Sequence, residues 1–179
     1  MLRKLLPWIA ATLLVAAVVH VATVWLLPRA IMHRVITRMA VLGLNEIRFQ
    51  NRPDASVRGV VRPSPDLLYS ICAFDLSAGP LRVRSPVPGD TYWSVSLFDN
   101  ATNNFYVLDD QQAHATHQST ADFVIAPQGS PATLDGLKTV AAPSTQGLVL
   151  FRTLIDDDRK LAAIDALRRK ARCAPLHKA

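Results

Sequence analysis

The sequence predicts a mainly β fold: an antiparallel β-sandwich or barrel-like sheet, with one transmembrane helix at the amino terminus and an amphipathic helix near the carboxyl end. Three observations predict it. Residues 5–27 run without a charged side chain, and the stretch from 56 to 155 alternates apolar and polar residues in short runs. From residue 158 onward the period returns to that of a helix, with Leu161, Ile164 and Leu167 on one side. Strands at this spacing with no helices between them favour an antiparallel sandwich over a parallel α/β fold.

The first element is LLPWIAATLLVAAVVHVATVWLL, 23 residues that as a helix would extend ~34 Å, enough to cross a bilayer. Trp8 and Trp25 lie ~25 Å apart on that helix and suit the two interfaces. Pro7 falls in the first turn, where its missing N–H costs little. A cleaved signal peptide is the competing reading, since Arg3 and Lys4 precede the apolar run. The run is longer than a secretory core, and the small residues near Ala22 are followed by Val24, Trp25, Leu26 and Leu27 rather than by polar sequence, so a retained anchor is expected. Arg3 and Lys4 on one side and Arg29, Arg34 and Arg38 on the other leave the positive-inside count tied. The short basic start is that of a signal anchor, giving a single pass with the body facing outward, in a periplasm-like space. Ile31, Val35, Met39 and Leu42 then form a helical stripe that ends at Gly43, reading equally as a lipid-facing helix or as one packed on the domain. Residues 1–43 are therefore the helical anchor, 44–55 a linker and 56–179 the β-rich domain.

The chain has 179 residues and a net charge of +6, but the charge is unevenly placed. Residues 1–52 carry seven basic groups and one acid, 53–158 carry six basic and twelve acidic groups, and 159–179 again seven and one. An acidic body between basic ends argues against nucleic-acid binding and suits a domain held beside an anionic bilayer.

Strands are expected over 56–61, 67–76, 81–84, 91–99, 104–108, 123–126, 137–141 and 148–155. Asp156, Asp157 and Asp158 precede the last helical pattern and read as capping residues rather than metal ligands. Nucleophile-elbow, zincin, dinucleotide and phosphate-loop signatures are absent. His114 and His117, in a Gln-, His- and Thr-rich stretch, read as part of an exposed loop, so neither a metal site nor a cofactor is expected.

The stretch VRPSPDLLYSICAFDLSAGPLRVRSPVPGDTYWSVSLFDNATNNFYVLDD, residues 61–110, resembles the bacterial family of unknown function DUF 1254. Asp66, Tyr69 and Ser70 open a strand, Asp75-Leu76-Ser77 leads to Gly79-Pro80, and a strand bearing Tyr92 ends at Asp99 before Thr102, Asn103 and Asn104. The close of the domain, GLVLFRTLIDDDRKLAAIDALRRKA, is similar too, although Pro65 and Leu67 depart from the family's usual Asn and Thr. The resemblance implies export and a β-rich fold and establishes no activity. Longer relatives join this domain to a second, DUF 1214, which this short chain is expected to lack.

Two functions follow as expectations. The first is a non-enzymatic envelope module that pairs with a separate DUF 1214-like protein, because half of a two-domain unit should keep the apolar face its other half would cover. The second is a ligand-binding or enzymatic domain whose cleft gathers Arg62, Asp66, Tyr69, Tyr92 and Asp99 from neighbouring strand ends. The plainer reading makes Asp99 a turn residue and the tyrosines sheet residues. Counting alone leaves Cys72 and Cys173 equally open as free buried thiols or a bridge. Cys72 lies mid-strand on the face of Leu68, Ser70 and Phe74, and Cys173 follows the last helix, so a disulfide pinning that helix to the sheet is expected.

Overall fold

The computed structural model describes residues 2–54, 56–57 and 63–176. Its first element is α1 (Leu2–Ala40), followed by strands β1 (Ile47–Phe49), β2 (Leu67–Asp75), β3 (Leu81–Pro86), β4 (Trp93–Phe98) and β5 (Asn104–Asp109). Helix α2 (Asp110–Ala115) leads to β6 (Thr120–Pro127), β7 (Thr133–Leu134), β8 (Leu137–Ala142) and β9 (Gln146–Leu154). A 3₁₀ turn at Asp158–Lys160, α3 (Leu161–Arg168) and β10 (Arg172–Pro175) complete the chain.

The strands form two five-stranded sheets, ordered β1-β2-β9-β4-β5 and β10-β3-β6-β8-β7. Alternation along each strand turns one set of side chains inward. Phe74, Trp93, Val95, Leu97, Val149 and Phe151 from the first sheet meet Leu81, Val83, Phe123 and Ile125 from the second in one buried core. The fold is thus a mainly β sandwich with a long apolar helix at its amino end and a short helix near its carboxyl end. At Gly147, a β-carbon would run into the Phe98 carbonyl oxygen and lie 2.5 Å from Phe74 Cζ, so β9 can sit there only without a side chain.

Four local features differ from the sequence reading. Within 44–55, read as a linker, Ile47–Phe49 pairs antiparallel with β2, opposite Ser70, Ile71 and Cys72. In the strand expected over 56–61, Ser56 and Val57 lie in turn and coil, and the remaining residues fall outside the described part of the chain. The second sheet is not wholly antiparallel: the short β7 reverses the chain between β6 and β8, which therefore run parallel. The segment around His114 is a short helix rather than a loop, because Asp109 caps it by accepting a hydrogen bond from the Gln112 N–H (2.8 Å).

Cys72 and Cys173 are joined, with Cα atoms 6.6 Å apart. Cys173 lies in β10, opposite Val83, so the bridge ties the first sheet to the edge of the second rather than pinning a helix. Residues 5–27 of α1 have exposed side chains on every face, the distribution of a helix whose surroundings are not the protein itself. Beyond Leu27 the helix continues for several turns, and Met32 and Ile36 become buried against β2 and β9.

Candidate functional site

The outward face of the first sheet is set by strand register. Tyr69 on β2 lies opposite Arg152 on β9, which lies opposite Ser94 on β4; the next row is Ile71, Leu150 and Ser96, and the next Ala73, Leu148 and Phe98. Side chains of one row project from the same face, so a band with Tyr69 and Arg152 at one end grades into an apolar floor of Ile71, Leu150, Leu148 and Phe98. The last turns of α1 roof this floor with Ile31, Met32 and Val35, and the intervening cleft of about 480 Å³ falls within the range of small-molecule sites. Gln50, Val57, Pro63 and Thr102 complete the lining.

Arg152 is half-buried at the floor of this cleft, and among the described residues its guanidinium has no hydrogen-bond acceptor and no ion-pair partner. The contrast with other strand arginines is direct. Arg82 binds Asp122 through two hydrogen bonds of 2.8 and 2.7 Å, Arg84 lies 3.7 Å from the same carboxylate, and Arg48 pairs with Glu46. Asp109, in line with Arg152 across Ser94, is two strands away and is occupied as the cap of α2. Tyr69 Oη accepts a hydrogen bond from the Ser64 N–H (3.0 Å), and among the described residues its own proton meets no acceptor. The Tyr92 hydroxyl donates to Ser94 Oγ (2.9 Å), closing the far side of the row.

The residues expected to share a cleft are only partly brought together. Tyr69 lines it, and Tyr92 sits on the same face beyond Arg152 with 41% of its surface exposed. Asp66 precedes β2 at the Tyr69 end, exposed and 3.9 Å from Arg52. Asp99 lies at the opposite end of β4, where its carboxylate accepts hydrogen bonds from the N–H groups of Ala101 and Asn103 and from the Asn103 amide, holding the β4–β5 turn. The span from Tyr92 to Asp99, at ~3.3 Å per residue, is ~23 Å, too far for one small ligand to touch both. Arg62 lies outside the described residues. Arg152 went unnoticed in the sequence, yet a signal was there: Leu148, Leu150, Arg152 and Leu154 alternate with the buried Val149, Phe151 and Thr153, leaving one cation in an apolar row.

Behind the cleft, α3 is fastened by Arg168. Its guanidinium donates to the carbonyl oxygens of Tyr69 (2.9 Å) and Gln50 (2.8 Å), and its Nε donates to Asp165 (2.6 Å). Burial pulls the Arg168 pKa down, opposed by the Asp165 carboxylate. Burial pushes the Asp165 carboxyl up, but hydrogen bonds from Arg169 and Arg168 outweigh it and hold the group below the usual carboxylate range. Tyr106, which packs on the core, is raised by burial. Among the described residues no group of three His, Cys, Asp or Glu side chains is placed to hold a metal. His114 Nε2 lies 3.1 Å from the Pro88 carbonyl oxygen. Outside α1 and the two residues that follow it, the exposed large apolar side chains among the described residues are Val57, Tyr92 and Val107, and of these Val57 lines the cleft.

Comparison with known proteins adds the family and the fold. The crystal structure of the VPA0106 protein from Vibrio parahaemolyticus is similar with a TM-score of 0.63 at 17% identity, over 87% of this chain and 37% of that one. An uncharacterised Burkholderia cenocepacia protein matches at 18% identity and a TM-score of 0.48, over 73% of this chain and 37% of that one. The chain thus spans little more than a third of the length of either solved protein. No protein of curated function matches it. Residues 44–175, from the end of the apolar helix to β10, match the family described as Protein of unknown function (DUF1254), and the chain belongs to that family.

Proposed function

We propose that this chain is a membrane-anchored cell-envelope domain that binds a small ligand, with an apolar body, in the cleft between its anchor helix and the first sheet. The single observation that carries the reading is the cleft itself: an apolar floor and roof around one arginine that has no partner among the described residues. Ligand sites are typically concave and apolar with a few placed polar groups. The anchor is residues 5–27 of α1, long and apolar enough to cross a membrane. A single pass through a bacterial inner membrane with the domain in the periplasm is supported by the Cys72–Cys173 bridge, since such bonds persist in oxidising compartments.

The test uses the full chain in lipid nanodiscs, photolabelled with a neutral diazirine-bearing alkanol and mapped by mass spectrometry. Adducts on 148–152 and 69–71, abolished by filling the cleft with Leu150→Trp, are expected. Adducts confined to 5–27 would mean that the probe had only dissolved in the bilayer, and the reading would fall.

A second reading, pairing with a separate DUF 1214-like protein, is favoured by the edge strand β5, on which Val107 is exposed. Stoichiometric co-purification of a second protein in mild detergent is its expected outcome, and recovery of the chain alone would oppose it.

A further inference from the structure

We infer that the occupant of the cleft is a single-chain amphiphile with a carboxylate head, taken up from the bilayer surface with its head on Arg152 and its chain along Leu150 and Leu148. This rests on the ligand-binding reading above and specifies the ligand's chemistry.

Charge comes first. A half-buried guanidinium without an acceptor is costly, and a carboxylate matches its fork of N–H donors, removing that cost in one contact. Arg152 is in that condition, and Tyr69, directly opposite on β2, offers a hydroxyl proton with no acceptor among the described residues. One cation and one neutral donor suit a monoanion. A cationic head would be repelled, and an uncharged one would leave the guanidinium unpaired.

Shape comes second. From Arg152, Leu150 and then Leu148 follow on the same face, giving ~13 Å of apolar floor. Ile71 and Phe98 flank it and Ile31, Met32 and Val35 cover it. An extended alkyl chain fills such a slot without any further polar partner.

Location comes third. Ile31 is four residues past Leu27, where the apolar run ends, a rise of ~6 Å along the helix. The roof of the cleft therefore stands at headgroup level when residues 5–27 span the membrane, so an amphiphile can pass from the bilayer surface into the slot without crossing bulk water. At this level Arg29 also stacks on Trp25, its guanidinium carbon 4.2 Å from the ring centroid, and donates to the Trp25 carbonyl oxygen (2.6 Å), the arrangement of an interfacial belt.

The experiment is competition for the cleft. Full-length protein in zwitterionic nanodiscs is photolabelled with the neutral diazirine alkanol and challenged with dodecanoate, dodecanol or dodecyltrimethylammonium. Dodecanoate is expected to displace the probe from 148–152 at concentrations about ten-fold or more below those of the other two, the advantage of one charge-assisted pair. Arg152→Gln should erase that preference, and Arg152→Lys should keep part of it. Equal competition by all three chains would overturn the carboxylate assignment while leaving the ligand site standing. Absence of any labelling in the cleft would remove both. If Arg152→Gln does not fold, the comparison of the three competitors on the unsubstituted chain still decides.

Discussion

The Arg168 guanidinium donates to the Tyr69 carbonyl oxygen at 2.9 Å across 99 residues of sequence, so the helix after the last core strand is fastened to the same strand segment that lines the cleft. The same side chain reaches the Gln50 carbonyl beside β1 and stands 5.6 Å from the Phe49 ring centroid. Three segments distant in sequence meet on one buried cation. Arg168→Met should destabilise the fold by about 3 kcal/mol, because it takes the donor from the Gln50 carbonyl, leaves the Tyr69 carbonyl with only the Gln50 N–H, and leaves Asp165 short of a partner. Chemical denaturation checks this, and a loss under half a kilocalorie would contradict it. Arg168→Lys should recover only part, since one ammonium cannot replace the planar fork.

The bridge between Cys72 and Cys173 closes a separation of 101 residues. On a chain-entropy account it stabilises by roughly 5 kcal/mol, and replacing both cysteines with alanine should cost up to about that much. Alkylation of denatured, unreduced protein should label neither cysteine. Labelling of both before reductant is added would contradict the bridge and, with it, the periplasmic placement.

Acid should unfold the domain through carboxyls held below their ordinary range. Asp75 is lowered by hydrogen bonds from Ser77 and then from the Gln146 amide (2.6 Å), and Asp165 is lowered on balance by Arg169 and Arg168. Each folded-state pKa is below its unfolded value, so the unfolded chain binds protons first as pH falls. The stability these groups contribute is complete above the unfolded pKa of about 3.9 and is lost as pH drops through the folded values. Urea midpoints measured from neutral pH downward should decline in that acidic window, and Asp165→Asn should make the decline shallower. An unchanged slope in the variant would contradict the role given to Asp165.

How far the sequence disclosed this molecule can be judged residue by residue. The period-two runs at 67–76 and 91–99 and the helical stripe at Leu161, Ile164 and Leu167 were legible because each element turns an apolar face to the interior, even though β4 is buried on its Ser94 and Ser96 side as well. The capping role of Asp157 was legible too: it accepts from the Arg159 N–H at 2.9 Å. Strand β1 was not, since three residues carry too little periodicity and take their conformation from pairing with β2. Helix α2 was missed because its apolar content is a single buried Ala113, although Asp109 followed three residues later by Gln112 is a capping signal. Arg168 read as a cation favourable to a helix end; its burial depends on carbonyls at 50 and 69 that only the fold brings near. The cleft was half legible. Alternation marks Arg152 as a charge among leucines, but only tertiary packing places α1 over that row.

The central claim is that the space between α1 and the outer face of β9 is an occupied binding site. Native mass spectrometry of the full chain, isolated from membranes in mild detergent, tests it most directly. The account predicts a one-to-one adduct with the mass of a single-chain carboxylate on the unsubstituted protein, lost in both Leu150→Trp and Arg152→Gln. Unsubstituted and Leu150→Trp proteins with identical, adduct-free spectra would contradict it.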